Sequence, residues 1–205
     1  MRAIFAVVAF AAALLTACSV PMRNAPADAM VKIMTDGGHG SGFHIGGGYL
    51  ITANHVVMKA ETVSLKTSLG GEAKAEVLWT NKAHDIALLR VEGPLDLAVA
   101  PLSCRVPDVG EDIMAKGNPA SDEFITVWGK IAGGERAFGP WRSVVVTDIA
   151  TVPGQSGGPV LDSNGNVIGV TVGVLTAPIG FGVSLVGVGY AVPGKAVCDL
   201  LARSA

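Results

Sequence analysis

Apolar and polar residues partly alternate along most of the chain, between turns rich in glycine, and this pattern predicts short β-strands. The first half contains "HGSGFHIGGGYLITANHVV" and "ETVSLKTSLGGEAKAEVLWT", which predict hairpins, and "HDIALLRVEG", which predicts an apolar strand. The second half continues with "DIMAKGNP", "FITVWGKIAGG", "RSVVVTDIA", "GGPVLDSNGNVIGVTVGV" and "GVGYAVPGKAV". Each half holds about six strand-like segments, so we expect an all-β protein of two tandem six-stranded antiparallel β-barrels, with the functional site between them.

The segment "PLDLAVAPLSCRVPDVGED" separates the two halves, because it contains prolines and lacks a periodic pattern. We place the boundary near Val106, so that the barrels cover 37–105 and 106–205. Asn164 and Gly165 lie between two apolar runs and predict a hairpin with a two-residue type I′ turn, which needs positive φ at both positions. The tail "GKAVCDLLARSA" has apolar positions at helical spacing and predicts a short C-terminal helix.

No charged residue occurs from Ser163 to Gly194, and a transmembrane helix is one explanation of this stretch. Repeated glycines, Pro178 and many β-branched residues disfavour a helix and favour buried strands. We therefore expect strands here.

The first residues, "MRAIFAVVAFAAALLTACSV", are typical of a secretion signal, since a positive start precedes a short apolar stretch and small residues. The ending "LLTACS" resembles a bacterial lipobox, in which cleavage leaves an acylated Cys18 at the new N-terminus. The prediction is a signal peptide over 1–17, a tether over 18–36 and a lipid anchor holding the protein to the membrane. Ser19 resembles the sorting pattern for the outer membrane, facing the periplasm. A plain signal peptide that happens to contain Cys18 is the alternative.

Composition narrows the range of functions. With 205 residues, half of them hydrophobic, the chain is long enough for a sizeable core. A net charge of −2 without a long basic run gives no footprint for nucleic acid, and four scattered histidines predict no metal site. No organic cofactor is implied either. In an oxidising compartment Cys104 and Cys198 are either a disulfide or two buried free thiols, and both remain open.

Candidate chemistry centres on "GQSGG", where Ser156 satisfies the pattern G-x-S-x-G. A serine hydroxyl needs a base within hydrogen-bond reach and a carboxylate that fixes the tautomer of the base. The α/β-hydrolase arrangement requires a later histidine, but no histidine follows His84. The base must therefore precede the serine. His55 follows the apolar strand in "LITANHVV", and Asp85 begins the strand "HDIALLRV".

Other arrangements of these residue types fit less well. The order Asp, His, Ser would need Asp28 or Asp36 and an α/β pattern that the chain lacks. His84 is adjacent to Asp85, and neighbours on a strand point to opposite faces, so only one of them faces the cleft. We interpret His39 and His44 as surface or turn residues. Asp162, near the hairpin, is interpreted as a turn-side carboxylate.

These pieces together resemble the trypsin-like (chymotrypsin-fold) serine proteases, particularly the bacterial HtrA/DegP branch. The matching segments are "GSGFHI", "YLITANHVV", "HDIALLRV", "GNP", "PGQSGGPVLDSNGNVIGV" and "GVGYAVPGKAV", over roughly residues 38–200. The resemblance implies that His55 is the general base, Asp85 its orienting carboxylate and Ser156 the nucleophile. It also implies an oxyanion hole formed by the backbone N–H groups of Gly154 and Ser156.

The resemblance extends to substrate selection. In such enzymes the position six before the nucleophile forms the floor of the primary specificity pocket, and here Ala150 replaces the aspartate that selects Lys or Arg. "VTVGV" at 170–174 matches the strand that pairs with substrate, so we expect Thr171, Val172 and Gly173 to contribute to binding, together with Ala150 and the adjacent Thr151. The expected activity is cleavage of extended or unfolded polypeptide after small or medium apolar residues.

The sequence departs from the HtrA pattern because it ends at Ala205, without the PDZ domains that usually follow. The expectation is therefore a minimal protease domain on a lipid anchor. Two alternatives remain open: a catalytically silent, peptide-binding lipoprotein with the same double barrel, and a structural envelope lipoprotein whose glycine turns are only architecture. The second would leave the combination of His55, Asp85 and Ser156 unexplained.

Overall fold

The computed structural model describes residues 29–179 and 182–204. Cys18 and the predicted signal peptide lie outside these ranges. The strands and helices are β1 (Met30–Thr35), β2 (Gly38–Gly46), β3 (Tyr49–Thr52), α1 (Asn54–Val57), β4 (Thr62–Thr67), β5 (Glu72–Asn81), β6 (Ile86–Glu92), β7 (Asp112–Gly117), β8 (Ile125–Phe138), β9 (Trp141–Thr147), β10 (Pro159–Leu161), β11 (Val167–Ile179), β12 (Gly182–Pro193) and α2 (Gly194–Ser204).

The first six strands form a closed antiparallel barrel in the order β1-β2-β3-β6-β5-β4, completed by pairing of β1 with β4. Alternate residues point inward, and Phe43, Leu50, Leu65 and Leu89 are fully buried in its core. The predicted barrel start at residue 37 is wrong, because β1 begins at Met30, inside the stretch assigned to the tether. The alternating pattern of "MVKIMT" is too short to distinguish a strand from a tether by sequence.

The last six strands form a second closed barrel in the order β10-β11-β12-β9-β8-β7, completed by pairing of β7 with β10. Met114, Ile131, Leu161 and Ile168 are fully buried. The predicted double barrel and the C-terminal helix are therefore confirmed. The uncharged stretch after Ser163 forms strands β11 and β12, and within the described ranges no helix is long and apolar enough to cross a membrane.

The segment between β6 and β7 is bonded to the rest of the protein at two points, Ala98 and Cys104. His44 is 9% exposed, its Nδ1–H donates to the Ala98 carbonyl at 2.9 Å, and its Nε2 accepts from the Gly48 N–H at 3.2 Å. The interpretation of His44 as a surface or turn residue is thus wrong.

Further along the same segment, Cys104 is disulfide-bonded to Cys198 of α2, with 5.6 Å between their Cα atoms. Of the two alternatives for these cysteines, the structure has the disulfide.

The hairpin at Asn164 and Gly165 exists, but its turn differs from the prediction. Leu161 pairs with Val167, so the connection is longer than two residues, and of Asn164 and Gly165 only Gly165 has positive φ, at 81°. The Asp162 carboxylate Oδ1 accepts the N–H groups of Asn164 and Asn166, both at 2.9 Å. The structure therefore has an Asx-type turn in place of the predicted type I′ turn. The Asp162 carboxylate accepts backbone N–H groups that would bond across the strands in a two-residue turn.

Candidate active site

His55 and Asp85 form a hydrogen-bonded pair on the first barrel. The ring Nδ1–H of His55 donates to Asp85 Oδ2 at 2.6 Å, and its backbone N–H donates to Oδ1 at 2.9 Å. The Asp85 side chain is 8% exposed, whereas that of His55 is 46% exposed. A buried carboxylate thus holds an accessible imidazole in the Nδ1–H tautomer, which leaves Nε2 as a proton acceptor.

The local backbone brings this pair together. Asp85 has φ of 57°, in the left-handed region that aspartate tolerates better than most residues. Its carbonyl accepts the N–H of Asn54 at 3.0 Å, so the chain before β6 is bonded to the start of α1. His55 is the second residue of this four-residue helix. The turn at Asp85, just before β6, and the single turn of α1 therefore place the two side chains within hydrogen-bond distance of each other.

Ser156 lies in a tight turn whose glycines have no room for side chains. Gly154 has φ of 97°, and a Cβ there would collide with the Asn118 carbonyl oxygen and lie 2.6 Å from His39 Nε2. Gly157 has φ of 83°, and a Cβ there would collide with the Ser41 carbonyl oxygen. The turn is pressed against both barrels, which explains why glycine is needed on either side of the serine.

His55, Gly154 and Ser156 line one cleft between the barrels. Among the described residues, the Ser156 hydroxyl has no hydrogen-bond partner, so Oγ and His55 Nε2 share the cleft without being bonded. The backbone N–H groups of Gly154 and Ser156 also have no partner among the described residues. Residues that line this cleft therefore carry a hydroxyl, an imidazole nitrogen and two backbone N–H groups that are unbonded among the described residues.

A network of buried polar groups is bonded to the turn that carries Ser156. Ser41 donates its hydroxyl to the Gly154 carbonyl at 2.7 Å and accepts from the Asn118 N–H at 2.9 Å. The Asn118 side-chain amide adds a bond to the Ser41 Oγ at 3.0 Å. The motifs "GSGFHI" and "GNP" contain Ser41 and Asn118, but sequence reasoning gave neither of them a role. Their separation of 77 residues hides the contact from any local pattern.

His39 also lies in this cleft, where its Nε2–H donates to the Asn118 carbonyl at 3.0 Å. Its interpretation as a surface or turn residue is a mistake, because its ring packs beside Gly154 across the interface of the two barrels. No short-range sequence signal distinguishes this position.

His84, by contrast, lies in a different depression beside Asp199 and Arg203 of α2. Burial, together with Arg142 and Arg203, lowers the pKa of His84.

Trp141 contributes a third hydrogen bond to the Asp85 carboxylate, since its Nε1–H donates to Oδ2 at 3.2 Å. Trp141 begins β9 and therefore belongs to the second barrel. Sequence reasoning did not identify this residue. The only signal is its place just after "GP", the turn between β8 and β9.

The predicted substrate-binding strand is β11. The backbone of Thr171 is used within the protein, because its N–H donates to the Gly158 carbonyl at 2.9 Å and its carbonyl accepts from Gly157 at 2.7 Å. Strand β10 pairs with β11 only between Val167 and Val170. Beyond Thr171, the side of β11 that faces β10 is not paired with any described strand, whereas its other side pairs with β12. Val172 and Gly173 are the next residues along this edge.

The remaining predicted binding residues lie at the approach to the Ser156 turn. Ala150 is exposed, whereas Thr151 is buried with its hydroxyl against Gly189 of β12. Asp148, the acidic residue two positions before Ala150, accepts the N–H of Lys130 at 2.5 Å. Its carboxylate is thus bonded to β8.

Comparisons with known proteins agree with this architecture. A family model described as "Trypsin-like peptidase domain" matches residues 40–170. A probable periplasmic serine endoprotease, DegP-like, of Pseudomonas putida (strain W619) is 32% identical over 164 residues, covering 78% of this chain and 33% of that protein. The counterpart in Pseudomonas fulva (strain 12-X) is 34% identical over 166 residues, with the same coverage of 78% and 33%. The chain thus spans about a third of the length of the curated relatives it matches.

Among solved structures, the HtrA-type protease AlgW with tripeptide superposes with a TM-score of 0.74. The two proteins are 26% identical, and the match covers 85% of this chain and 59% of that one. The double barrel is therefore a fold that this chain shares with an HtrA-type protease.

Proposed function

The chain belongs to the trypsin-like peptidase family, and on this premise we propose that it is a serine endopeptidase of the cell envelope. The observation that carries the proposal is the cleft lined by Ser156 and by His55, which is bonded to Asp85, with the backbone N–H groups of Gly154 and Ser156 unbonded among the described residues. This combination supplies the nucleophile, the base and the oxyanion donors that acyl transfer needs. The resemblance in sequence and the geometry of the cleft support the same assignment of roles.

In the proposed reaction, His55 Nε2 removes the proton of the Ser156 hydroxyl as Oγ attacks the peptide carbonyl carbon. The resulting oxyanion is bound by the N–H groups of Gly154 and Ser156. Asp85 stays ionised and stabilises the imidazolium through its bond to Nδ1. The C–N bond then breaks, the amine leaves with the proton held by His55, and water hydrolyses the acyl ester by the same route in reverse. The unbonded Oγ and Nε2 of the free protein come together when substrate binds, as is common in such sites.

The substrate we propose is an extended polypeptide that adds as a strand to the free edge of β11. Val172 and Gly173 follow Thr171 along this edge and provide the main-chain groups. Ala150 provides no charge at the approach to the turn, and one oxygen of the Asp148 carboxylate accepts the backbone N–H of Lys130. The proposed preference for small or medium apolar side chains rests on Ala150, which supplies no carboxylate at the position that the resemblance assigns to the pocket floor. A peptide library cleaved mainly after Lys or Arg would contradict this preference.

The proposed location is the periplasm, with the protein held to the outer membrane through an acylated Cys18. The signal-like N-terminus and the periplasmic description of the relatives support export. Labelling of growing cells with a fatty-acid analogue tests the anchor, since a Cys18→Ser variant should lose the label. Equal labelling of both proteins would rule out acylation at Cys18.

The decisive experiment is reaction of the purified mature protein with a fluorophosphonate probe, followed by mass spectrometry. We expect one covalent adduct on Ser156, which disappears in Ser156→Ala and His55→Ala variants. Ser163→Ala is the matched control, because Ser163 is an exposed serine on the β10–β11 turn, and it should label normally. Failure of the folded protein to react, or an adduct that persists in Ser156→Ala, would overturn the proposal. Binding of extended peptides by an unreactive protein would instead establish the peptide-binding alternative.

A further inference from the structure

The buried carboxylate of Asp85 is held from both barrels. His55 donates to it from the first barrel, and the Trp141 indole N–H donates to Oδ2 from the second, at 3.2 Å. Within the described ranges, these two residues supply all of the hydrogen bonds to the carboxylate. Oδ2 thus accepts two donors, one of them the imidazole that must keep its orientation during catalysis.

The indole is itself fixed by the hairpin that carries it. Strand β8 ends at Phe138 and β9 begins at Trp141, and the two residues pair across the turn. Gly139, with φ of 54°, suits the first central position of a two-residue hairpin turn. Phe138 stacks on Tyr190 of β12 with 4.5 Å between ring centroids, and the Trp141 ring lies 5.7 Å from that of Tyr190. Aromatic packing therefore orients the N–H before any substrate is present.

The other end of the indole lies over Gly173 of β11. A Cβ at Gly173 would be 2.8 Å from Trp141 Cζ2 and would collide with Cη2, so the ring fills the space that a side chain would occupy. Gly173 is on the free edge proposed to pair with substrate. One side chain thus spans the distance from the substrate edge to the buried carboxylate of the triad.

We propose that Trp141 is a positioning residue for catalysis, which orients the Asp85 carboxylate toward His55 and forms part of the wall of the substrate site. This inference rests on the proposed function, because it assigns Trp141 to the same cleft. The backbone N–H of His55 restrains Oδ1, but without Trp141 the imidazole would be the only donor to Oδ2 among the described residues. A second donor on Oδ2 limits the movement of this oxygen and also withdraws negative charge from it.

The test uses Trp141→Phe, which retains an aromatic ring beside Tyr190 but removes the N–H together with the outer part of the indole that lies over Gly173. Trp128→Phe is the matched control, because Trp128 lies on the adjacent strand β8 with 61% of its surface exposed. The measurements are the rate of Ser156 phosphonylation from pH 5 to 9 and the melting temperature of each protein. We expect Trp141→Phe to lower the plateau rate about tenfold, as loss of a hydrogen bond to a charged group does. The acid limb of the profile should move to higher pH, because a carboxylate with one donor fewer holds the protonated imidazole more strongly. Trp128→Phe should match the wild type.

A second variant protects the test against misfolding of the first. Gly173→Ala leaves Trp141 unchanged but displaces its ring, and the small phosphonate probe does not need the β11 edge. It should slow phosphonylation similarly, and the double variant should be little slower than either single variant. Rates and pH profiles of Trp141→Phe indistinguishable from those of Trp128→Phe would overturn the proposal, as would full additivity in the Gly173→Ala background.

The two proposals fail differently. If wild-type Ser156 does not react, the proposed function fails, and the positioning role is then judged from the NMR titration of the His55 ring. A titration that moves upward in Trp141→Phe but not in Trp128→Phe supports the positioning role even in an inactive protein. An unmoved titration overturns it.

Discussion

His55 donates two hydrogen bonds to the single carboxylate of Asp85, one from its backbone N–H to Oδ1 at 2.9 Å and one from ring Nδ1 to Oδ2 at 2.6 Å. The backbone bond ties Oδ1 to α1, and the ring bond to Oδ2 fixes the tautomer. Because one residue supplies both donors, any movement of Asp85 is transmitted directly to the imidazole. The pair behaves as a unit on the first barrel, toward which the second barrel presents Ser156.

Substitution of Asp85 by Asn should lower the rate of Ser156 phosphonylation by about 10⁴, because the amide favours the wrong tautomer of His55. The fold should survive, since asparagine also tolerates the positive φ found at this position. The rate constant is measured by intact-protein mass spectrometry. Asp112→Asn, at a 74% exposed carboxylate, is the control. A loss of less than tenfold in Asp85→Asn would exclude the proposed role of the carboxylate.

Substitution of Gly154 by Ala should remove most of the activity by displacing an oxyanion donor. The added Cβ collides with the Asn118 carbonyl oxygen, and the φ of 97° disfavours alanine as well. We expect the rate to fall by about 10² to 10³, the loss typical for one donor. Gly48→Ala is a matched control, because Gly48 has φ of 78° but no atom within 4 Å of an added Cβ. Equal activity of the two variants would show that the turn at Gly154 does not form the oxyanion hole.

Loss of the Cys104–Cys198 disulfide should lower the free energy of unfolding by about 2–4 kcal/mol, because the bond restricts the unfolded chain over a separation of 94 residues. Urea unfolding of the Cys104→Ser/Cys198→Ser variant, compared with the oxidised wild type, measures the difference. A reducing agent should destabilise the wild type and leave the double variant unchanged. An identical midpoint for oxidised and reduced wild type would contradict the prediction.

The protein should lose stability in acid partly through Asp162. Burial favours a higher pKa for this carboxyl, but hydrogen bonds from Asn166, Asn164 and Arg105 outweigh it and lower the pKa below its ordinary value of 3.8. The unfolded state therefore takes up a proton first as the pH falls. The contribution of Asp162 is fully present above its unfolded pKa and is lost as the pH falls through the folded value.

Urea unfolding at pH 7 and pH 3 measures this effect. At pH 7 the free energy of unfolding of Asp162→Asn should be about 1–3 kcal/mol lower than that of the wild type, since bonds to a buried carboxylate are lost. Between pH 7 and pH 3 the free energy of unfolding should fall less for this variant than for the wild type. Asp112→Asn, which breaks only the exposed pair with Lys130, should change stability by less than about 1 kcal/mol. A parallel decline for Asp162→Asn and wild type would refute the assignment.

The double barrel could be predicted because strand alternation and glycine turns are local signals, each visible within about ten residues. Ser156, His55 and Asp85 could be proposed as catalytic residues for the same reason, as each lies in a short motif whose chemistry requires the others. The strand β1 was missed since six residues of mixed polarity carry too weak a pattern. The turn after Leu161 was predicted with the wrong geometry because the capping carboxylate of Asp162 outweighed the preference of the Asn-Gly pair.

The contacts that could not be predicted join positions far apart in the chain. Trp141 and Asp85 are separated by 56 residues, and His39 and Asn118 by 79. Each contact depends on how one barrel docks against the other, which no pattern within either barrel encodes. Even where the sequence pointed to β11, only the structure distinguishes Thr171, whose backbone is already bonded, from Val172 and Gly173.

The bond between Cys104 and Cys198 encloses every strand of the second barrel in a covalent ring. A single break of the main chain between these cysteines opens the ring but releases no fragment, because both new ends remain attached through the sulfur atoms. Loops of this barrel, including the one that carries Ser156, are thus protected from dissociation after a first nick. By our proposal the protein is itself a protease, and in this way it can survive an accidental cut with both pieces in place.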